Sequence, residues 1–291
     1  MASDPIRSPQ PASRRTIVIS GGTDGMGRAL ALARAARGDR VLAIGSNAAK
    51  GKRLLADAPT TPMSGAIDFI RADLSTVTET EAAIAAIKSS ASVIDALALF
   101  ANRQAPRRVE TPEGLEATFA LYYLSRYLIS HELTPSLSRS AAPVIINVAG
   151  VGITKGTIHW DDLQLTRRYS MIGAQLQAAR ANDLLGVGYA AEHGDTVPYV
   201  LYHPGFTRSG DLTALPAPLR AGIRVAARLS ARPVEASVAP VSDFIDRPPS
   251  TPLTAFDRGR SVPLTLHTLD PDQAARLARL TVTLLGEVRV R

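Results

Sequence analysis

Short runs that are apolar throughout alternate along this chain with longer stretches whose apolar residues recur at helical spacing. Thr16-Ile17-Val18-Ile19-Ser20 is the first such run, and a helix is predicted after it from about Gly25 to Arg37, stopped by Gly38-Asp39. Val41-Leu42-Ala43-Ile44 predicts a second strand and Ala48 to Ala56 a second helix. Ile67 to Ile70, Ala96 to Phe100, Val144 to Val148 and Tyr199 to Tyr202 read as strands three to six. Between them, Glu79 to Ser89, Gly114 to Ser130 and Ile172 to Ala191 read as helices. Strands without polar alternation are covered on both faces, as in a parallel sheet. Their alternation with helices implies βαβ units and an α/β, Rossmann-type doubly wound sheet with helices on both faces. After Gly205 the pattern weakens: a helical stretch from Asp211 to Ser230 with a Pro break, a Pro/Ser turn from Arg247 to Pro252, and a last amphipathic helix from Gln273 to Leu285.

Composition narrows the picture. The chain has 291 residues, 45% of them hydrophobic, enough for one α/β domain with a large sheet. Residues 1–14 are polar and Pro/Ser-rich and read as a disordered leader, leaving 15–291 as a single domain. No apolar run is long enough to span a bilayer, so no membrane partner is expected and the expected location is cytoplasmic. The absence of Cys excludes disulfides, thiol nucleophiles and Cys-ligated metals. The formal charge of +7 is scattered, with no basic helix or aromatic–basic stripe, so no nucleic-acid partner is expected. A basic surface suits a phosphorylated or carboxylated small molecule. The five His are dispersed without ligand spacing, so the sequence predicts no metal site.

The most specific local signal is Ser20-Gly21-Gly22-Thr23-Asp24-Gly25-Met26-Gly27. It leaves a predicted strand and opens a predicted helix, the context in which glycines let backbone amides and a helix N-terminus approach a pyrophosphate. Its Gly-x-x-x-Gly-x-Gly spacing resembles the short-chain dehydrogenase/reductase family. The resemblance runs from about Arg15 to Leu212. Asp73-Leu74 resembles the family's adenine-contacting pair, and Pro204-Gly205 its Pro-Gly turn, with Ser209 at the position beside the nicotinamide amide. Thr111-Pro112-Glu113-Gly114-Leu115-Glu116, Phe119, Trp160-Asp161-Asp162-Leu163 and Arg168-Tyr169 resemble the retinol-dehydrogenase-like branch.

The resemblance implies a nicotinamide dinucleotide held by Ser20, Gly21, Thr23, Asp24, Gly25, Met26, Gly27, Ser46, Asn47, Asp73, Leu74, Ala101, Pro204, Gly205 and Ser209. After the second strand, an acidic residue would read a ribose 2′-OH and an Arg a 2′-phosphate. Here Gly45-Ser46-Asn47 is neither. With no carboxylate to repel a phosphate, and with Ser46, Asn47 and Lys50 able to hold one, NADP(H) is favoured over NAD(H); Asp24 is mildly adverse.

The catalytic set implied by the resemblance is replaced. The family's Tyr donates a proton to the substrate carbonyl, a Lys four residues on lowers the Tyr pKa and holds the ribose, a Ser orients the carbonyl and an Asn completes a relay. Aligned by flanking residues, with Asn182 matching a frequent family residue, the Tyr position is Gln175 and the Lys position Ala179. The Ser position falls at Ala149-Gly150 and the Asn position at Tyr122, and the family's Asn-Asn-Ala-Gly reads Leu99-Phe100-Ala101-Asn102. No Tyr-x-x-x-Lys occurs anywhere. Gln can donate a hydrogen bond but cannot deliver a proton at neutral pH. Gln175 and Tyr122 are the candidate substrate-orienting residues; His159 and His203 flank the site in sequence.

Three functions stay open on these residues. One is an NAD(P)-dependent oxidoreductase acting on a small apolar or aromatic activated carbonyl, enone or imine, in bacterial specialised metabolism. The second is a non-redox cyclase, isomerase or pericyclase on the same scaffold. The third is a dinucleotide-sensing pseudoenzyme. The intact turn puts the oxidoreductase first. The segment 206–234, which in this family covers the substrate, carries apolar residues such as Leu212 and Leu215. Family members often pair through the helices holding Tyr122 and Gln175, which implies a homodimer or homotetramer.

Overall fold

The structure is a computed structural model that describes residues 14–61, 63–152, 155–205 and 234–290. Its elements in chain order begin β1 (Thr16–Ser20), α1 (Gly25–Ala36), β2 (Arg40–Gly45), α2 (Ala48–Ala56), β3 (Ile67–Arg71), α3 (Val77–Ser90) and β4 (Ala96–Leu99). A long rod follows: α4 (Ala117–Phe119), a π-turn (Ala120–Leu124) and α5 (Ser125–Leu137). Then come β5 (Val144–Val148), α6 (Met171–His193), β6 (Tyr199–His203), α7 (Val234–Asp246), β7 (Leu253–Asp257), β8 (Arg260–Ser261) and α8 (Pro271–Val290). The sheet order is β3-β2-β1-β4-β5-β6-β7-β8, with the first seven strands parallel and β8 antiparallel.

Alternation along the strands divides the core into two layers. Ile17 and Ile19 face one layer with Leu30 and Ala31 of α1 and Val241 and Ile245 of α7. Val18 faces the other with Ile84 and Ile87 of α3, Leu128 and Leu133 of α5, Leu184 of α6 and Leu277 of α8. Both faces of every central strand are therefore dry, which explains why these strands are apolar throughout. The chain winds outward through β2 and β3 on one side of β1, and through β4 to β7 on the other. The strand order reverses between β1 and β4, and a ligand crevice forms outside the carboxyl ends at such a point.

The predicted helix from Gly114 to Ser130 begins later and runs further, from Ala117 to Leu137. Its start is set by Glu116, whose carboxylate accepts from the amides of Thr118 (2.8 Å) and Phe119 (2.7 Å). Carboxylates are favoured there because the first helical amides have no internal partner. Pro135 sits in the last turn, where the helix is about to end. Three elements lacked a clear sequence signal, the two-residue β8 and the pair α7 and β7. Phe244 and Phe256 stack at 5.3 Å across them, so their placement depends on contacts between segments. The predicted helix from Asp211 to Ser230, the leader up to residue 13 and nearly all of the substrate-covering segment lie outside the described residues.

Candidate active site

The glycine turn runs from β1 into α1 at the reversal point. Gly21 has a φ of +70°, and a Cβ there would lie 2.9 Å from the Ala101 amide nitrogen. A Cβ on Gly27 would lie 2.3 Å from the Gly21 carbonyl oxygen, so neither position admits a side chain without moving backbone. Asp24 caps α1, its carboxylate accepting from the Gly25 amide at 2.8 Å. Ser20, Thr23 and Met26 are buried behind the turn, and the Ala101 amide donates to the Ser20 hydroxyl at 3.4 Å, tying β1 to the end of β4. The close backbone approach and the helix N-terminus aimed at it fit a pyrophosphate.

Around the turn, the residues expected to read the rest of the cofactor have defined places. Ser46 and Asn47 are exposed after β2, and Asn47 caps α2 through the Lys50 amide at 3.0 Å. Lys50 reaches back so that its Nζ lies 2.6 Å from Asp24 Oδ2. That pair offsets the carboxylate that the sequence marked as adverse. Asp73 Oδ1 accepts from the Ser75 amide (3.0 Å) and hydroxyl (2.7 Å), and the Leu74 side chain belongs to the core. Pro204 and Gly205 follow β6, with Gly205 at a φ of +83°. Ser209 lies outside the described residues.

The other half of the site is built from side chains. Tyr122 sits in the π-turn and packs against Ala149, Ala178 and Ala179. Two of those alanines occupy the Ser and Lys positions implied by the resemblance, so the phenol ring takes up space that larger side chains there would need. Burial raises the Tyr122 pKa, with Arg126 pulling it back, so at neutral pH the hydroxyl stays protonated.

Sequence reasoning missed Arg126. It is fully buried on α5, its guanidinium 4.6 Å from the Tyr122 ring centroid. It donates to the carbonyls of Ala101 (2.9 Å) and Val148 (2.9 Å) and to Asn147 Oδ1. These acceptors stand at the ends of β4 and β5, so the cation bridges the two strand ends. Burial draws its pKa down to about 10, opposed by Tyr122 and Tyr199, so it remains charged. No carboxylate pairs with it among its hydrogen-bond partners; carbonyl oxygens and a ring face do that work. The network continues from Asn147 to Asn182 (2.9 Å) and Tyr199 (2.9 Å), and Asn182 donates to the Tyr122 carbonyl at 2.7 Å. The available signal was a lone Arg in an otherwise buried helical face.

Gln175 stands at the first turns of α6, half-buried, in a reciprocal amide pair with Asn102 at 3.0 and 3.2 Å. Its Nε2 also donates to the Arg103 carbonyl at 3.1 Å. Both amide hydrogens are thus committed, and the residue latches α6 to the loop after β4. Asp183, one turn beyond Ala179, is buried, and desolvation pushes its pKa up to about 8 against the opposing pull of Arg180 at 3.7 Å.

Several motif residues have structural work. Glu113 accepts from the amides of Val77 (2.6 Å) and Thr78 (2.9 Å), capping α3, as Glu116 caps α4. Asp162 accepts from Thr166 and Arg167 amides at 2.8 and 3.0 Å; desolvation opposes these bonds, but they hold its carboxyl down at about 2. His203 Nδ1 lies 2.8 Å from Asp257 Oδ1, and the His159 amide donates to Gln177 Oε1 at 2.9 Å. The first joins the ends of β6 and β7, and the second ties the loop before α6 to that helix.

The model of the short chain dehydrogenase family matches residues 15–161. This chain belongs to that family. Among curated relatives it is 29% identical over 195 residues to a candidate daunorubicin C-13 ketoreductase of Streptomyces sp., covering 67% of each chain. It is 28% identical to the oxidoreductase calI of Penicillium decumbens (69% of this chain, 60% of that one) and 26% identical to human retinol dehydrogenase 12 (67% and 62%). The chain thus spans a little over half to two thirds of the length of the curated relatives it matches, down to 54% for human polyprenol dehydrogenase. Among solved structures, a short-chain dehydrogenase from Sphingobium yanoikuyae in complex with NADPH has a TM-score of 0.60 at 19% identity, with 92% of this chain and 94% of that one covered. A Mycobacterium paratuberculosis protein reaches 0.69 at 18% identity, with 95% and 94% covered. No helix among the described residues is long and apolar enough to cross a membrane.

Proposed function

We propose that this chain is an NADP(H)-preferring oxidoreductase whose substrate is a small apolar or aromatic molecule activated for hydride transfer, such as an enone, quinone or iminium. The observation that carries this reading is the contrast between an intact dinucleotide cradle and a repacked catalytic corner. Gly21 packs against the Ala101 backbone and Gly27 against the Gly21 carbonyl, and this tight strand-to-helix turn supports the reading of a pyrophosphate cradle at the start of α1. Lys50 beside Asp24, with Ser46 and Asn47 exposed nearby, suits a 2′-phosphate. When bound, a nicotinamide supplies or accepts hydride, and the protein's share is positioning and electrostatics.

The residues at the catalytic corner argue against ordinary ketone reduction. Gln175 has spent both N–H groups on Asn102 and Arg103. Tyr122 is held protonated by burial, so it orients by hydrogen bonding and is a poor proton source. Arg126 supplies positive charge beneath the Tyr122 ring, favouring electron density that builds up on a substrate above it. General acid–base groups typically contribute about 100- to 10,000-fold, so an acceptor that needs no proton in the transition state loses least. Specialised metabolism is the setting we infer, in line with the name of the Streptomyces relative.

The test is calorimetric titration with NADPH, NADH and their oxidised forms, followed by NADPH oxidation with an enone, a quinone, an iminium and a plain ketone. Binding of NADPH in preference to NADH, and turnover of an activated acceptor but not of the ketone, are expected. No binding of any of the four would overturn the reading. Conversion of substrate without change in cofactor redox state would pass it to a non-redox enzyme on this scaffold.

A further inference from the structure

At the far end of the same two helices lies a cluster unrelated to the nucleotide crevice. His131 is on α5, and Glu192 and His193 end α6. His131 Nε2 lies 3.8 Å from Glu192 Oε2, and His193 Nε2 lies 3.7 Å from the same oxygen. The three donor atoms all fall within 4.8 Å of one another. Ala179 and His193 are fourteen residues apart on α6, or about 20 Å at 1.5 Å per residue. The cluster therefore sits toward the amino ends of the strands, away from the glycine turn.

Three features make these residues a donor set beyond a surface ion pair. His131 Nδ1 is 2.9 Å from the Tyr127 carbonyl, which fixes the proton on Nδ1 and leaves the Nε2 lone pair facing Glu192 and His193. The His131 ring is wedged between Tyr127 (4.2 Å), Tyr189 (5.3 Å) and His193 (5.9 Å), so its direction is set by packing. Glu192 and His193 are more exposed, with side chains 57% and 34% accessible, so water can reach the open side.

We propose that His131 Nε2, Glu192 Oε2 and His193 Nε2 form a binding site for one divalent transition-metal ion of the zinc class, with water completing the coordination. Two imidazoles and a carboxylate are the ligand chemistry of Zn(II), Co(II) and Ni(II), and they disfavour Mg(II) and Ca(II), which take oxygen donors. The ion would join α5 to the end of α6. Because His131 and His193 are 62 positions apart, their spacing along the chain gave no hint of it.

The experiment uses full-length, tag-free, chelator-washed protein titrated with ZnCl2, CoCl2 and MgCl2. Wild type is expected to bind one equivalent of zinc, to show the visible absorption of Co(II) in a low-coordinate site, and to melt several degrees higher with zinc. E192Q and H193Q, both at accessible positions, are expected to fold and melt as wild type without metal, and to bind at least about tenfold more weakly. H131Q tests the buried ligand, read only if its unfolding without metal matches wild type. Failure of wild type to bind zinc, or equal binding by wild type, E192Q and H193Q, overturns the proposal. So does binding of magnesium as tightly as zinc.

Discussion

The two halves of the crevice carry different kinds of information. On the β1–α1 side, the structure rests on backbone: glycines that admit no Cβ and a capped helix start. On the β4–β5 side, the corner is built from side chains that pack on one another. Tyr122, Ala149 and Ala179 share one packed cluster, and Arg126 supports the ring from below. Backbone geometry is fixed by the fold and changes little as residues are exchanged. A side-chain constellation can be replaced as a unit without disturbing the sheet. The contrast separates what the family fold guarantees from what it does not.

The sharpest way to break this contrast is to remove the charge that links the two strand ends. R126L leaves the Ala101 and Val148 carbonyls and Asn147 buried without a donor, at about 1–3 kcal/mol each. A large fall in melting temperature is expected in thermal denaturation, with R126K recovering only part of it because Lys cannot bridge three acceptors in a fixed fork. On the backbone side, G27A puts a Cβ against the Gly21 carbonyl. Strain of about 1–3 kcal/mol corresponds to roughly 10- to 100-fold weaker dinucleotide binding in calorimetry.

Restoring a family residue alone should fail. A179K forces a long side chain into the Tyr122 cluster, and overpacking of this kind costs about 1–3 kcal/mol. Q175Y alone should yield no ketone reduction, whereas Y122N, A149S, Q175Y and A179K together should yield a measurable rate. The smallest effect concerns pH. Between the ordinary carboxylate range near ~4 and about 8, unfolded Asp183 has lost a proton that the folded protein retains. Its contribution to stability therefore falls as pH rises through that window. D183N should flatten the dependence of melting temperature on pH there; an unchanged slope would mean that Asp183 is ionised in the fold.

Much of the fold was legible because its strands are dry on both faces and its helices are punctuated by Gly, Asn and Asp. The bounds of α2 and β5 match the sequence reading, whereas α7 and β7 depend on the Phe244–Phe256 contact and had no local signature. The glycine turn was legible because its requirement is local. Arg126 was not, since its partners at 101, 147 and 148 come from other segments. Gln175 was read as a free donor, yet its amide is engaged by Asn102 from 73 positions away. Glu113 and Glu116 could be recognised as a motif, but that they cap α3 and α4 emerges only in three dimensions.

The ring of Tyr122 also sets the order in which this corner could be rebuilt. It packs against both Ala149 and Ala179, so a larger side chain introduced at either position meets an occupied volume. Exchanges here are therefore coupled: the ring has to give way first, and each later substitution draws on the space it frees.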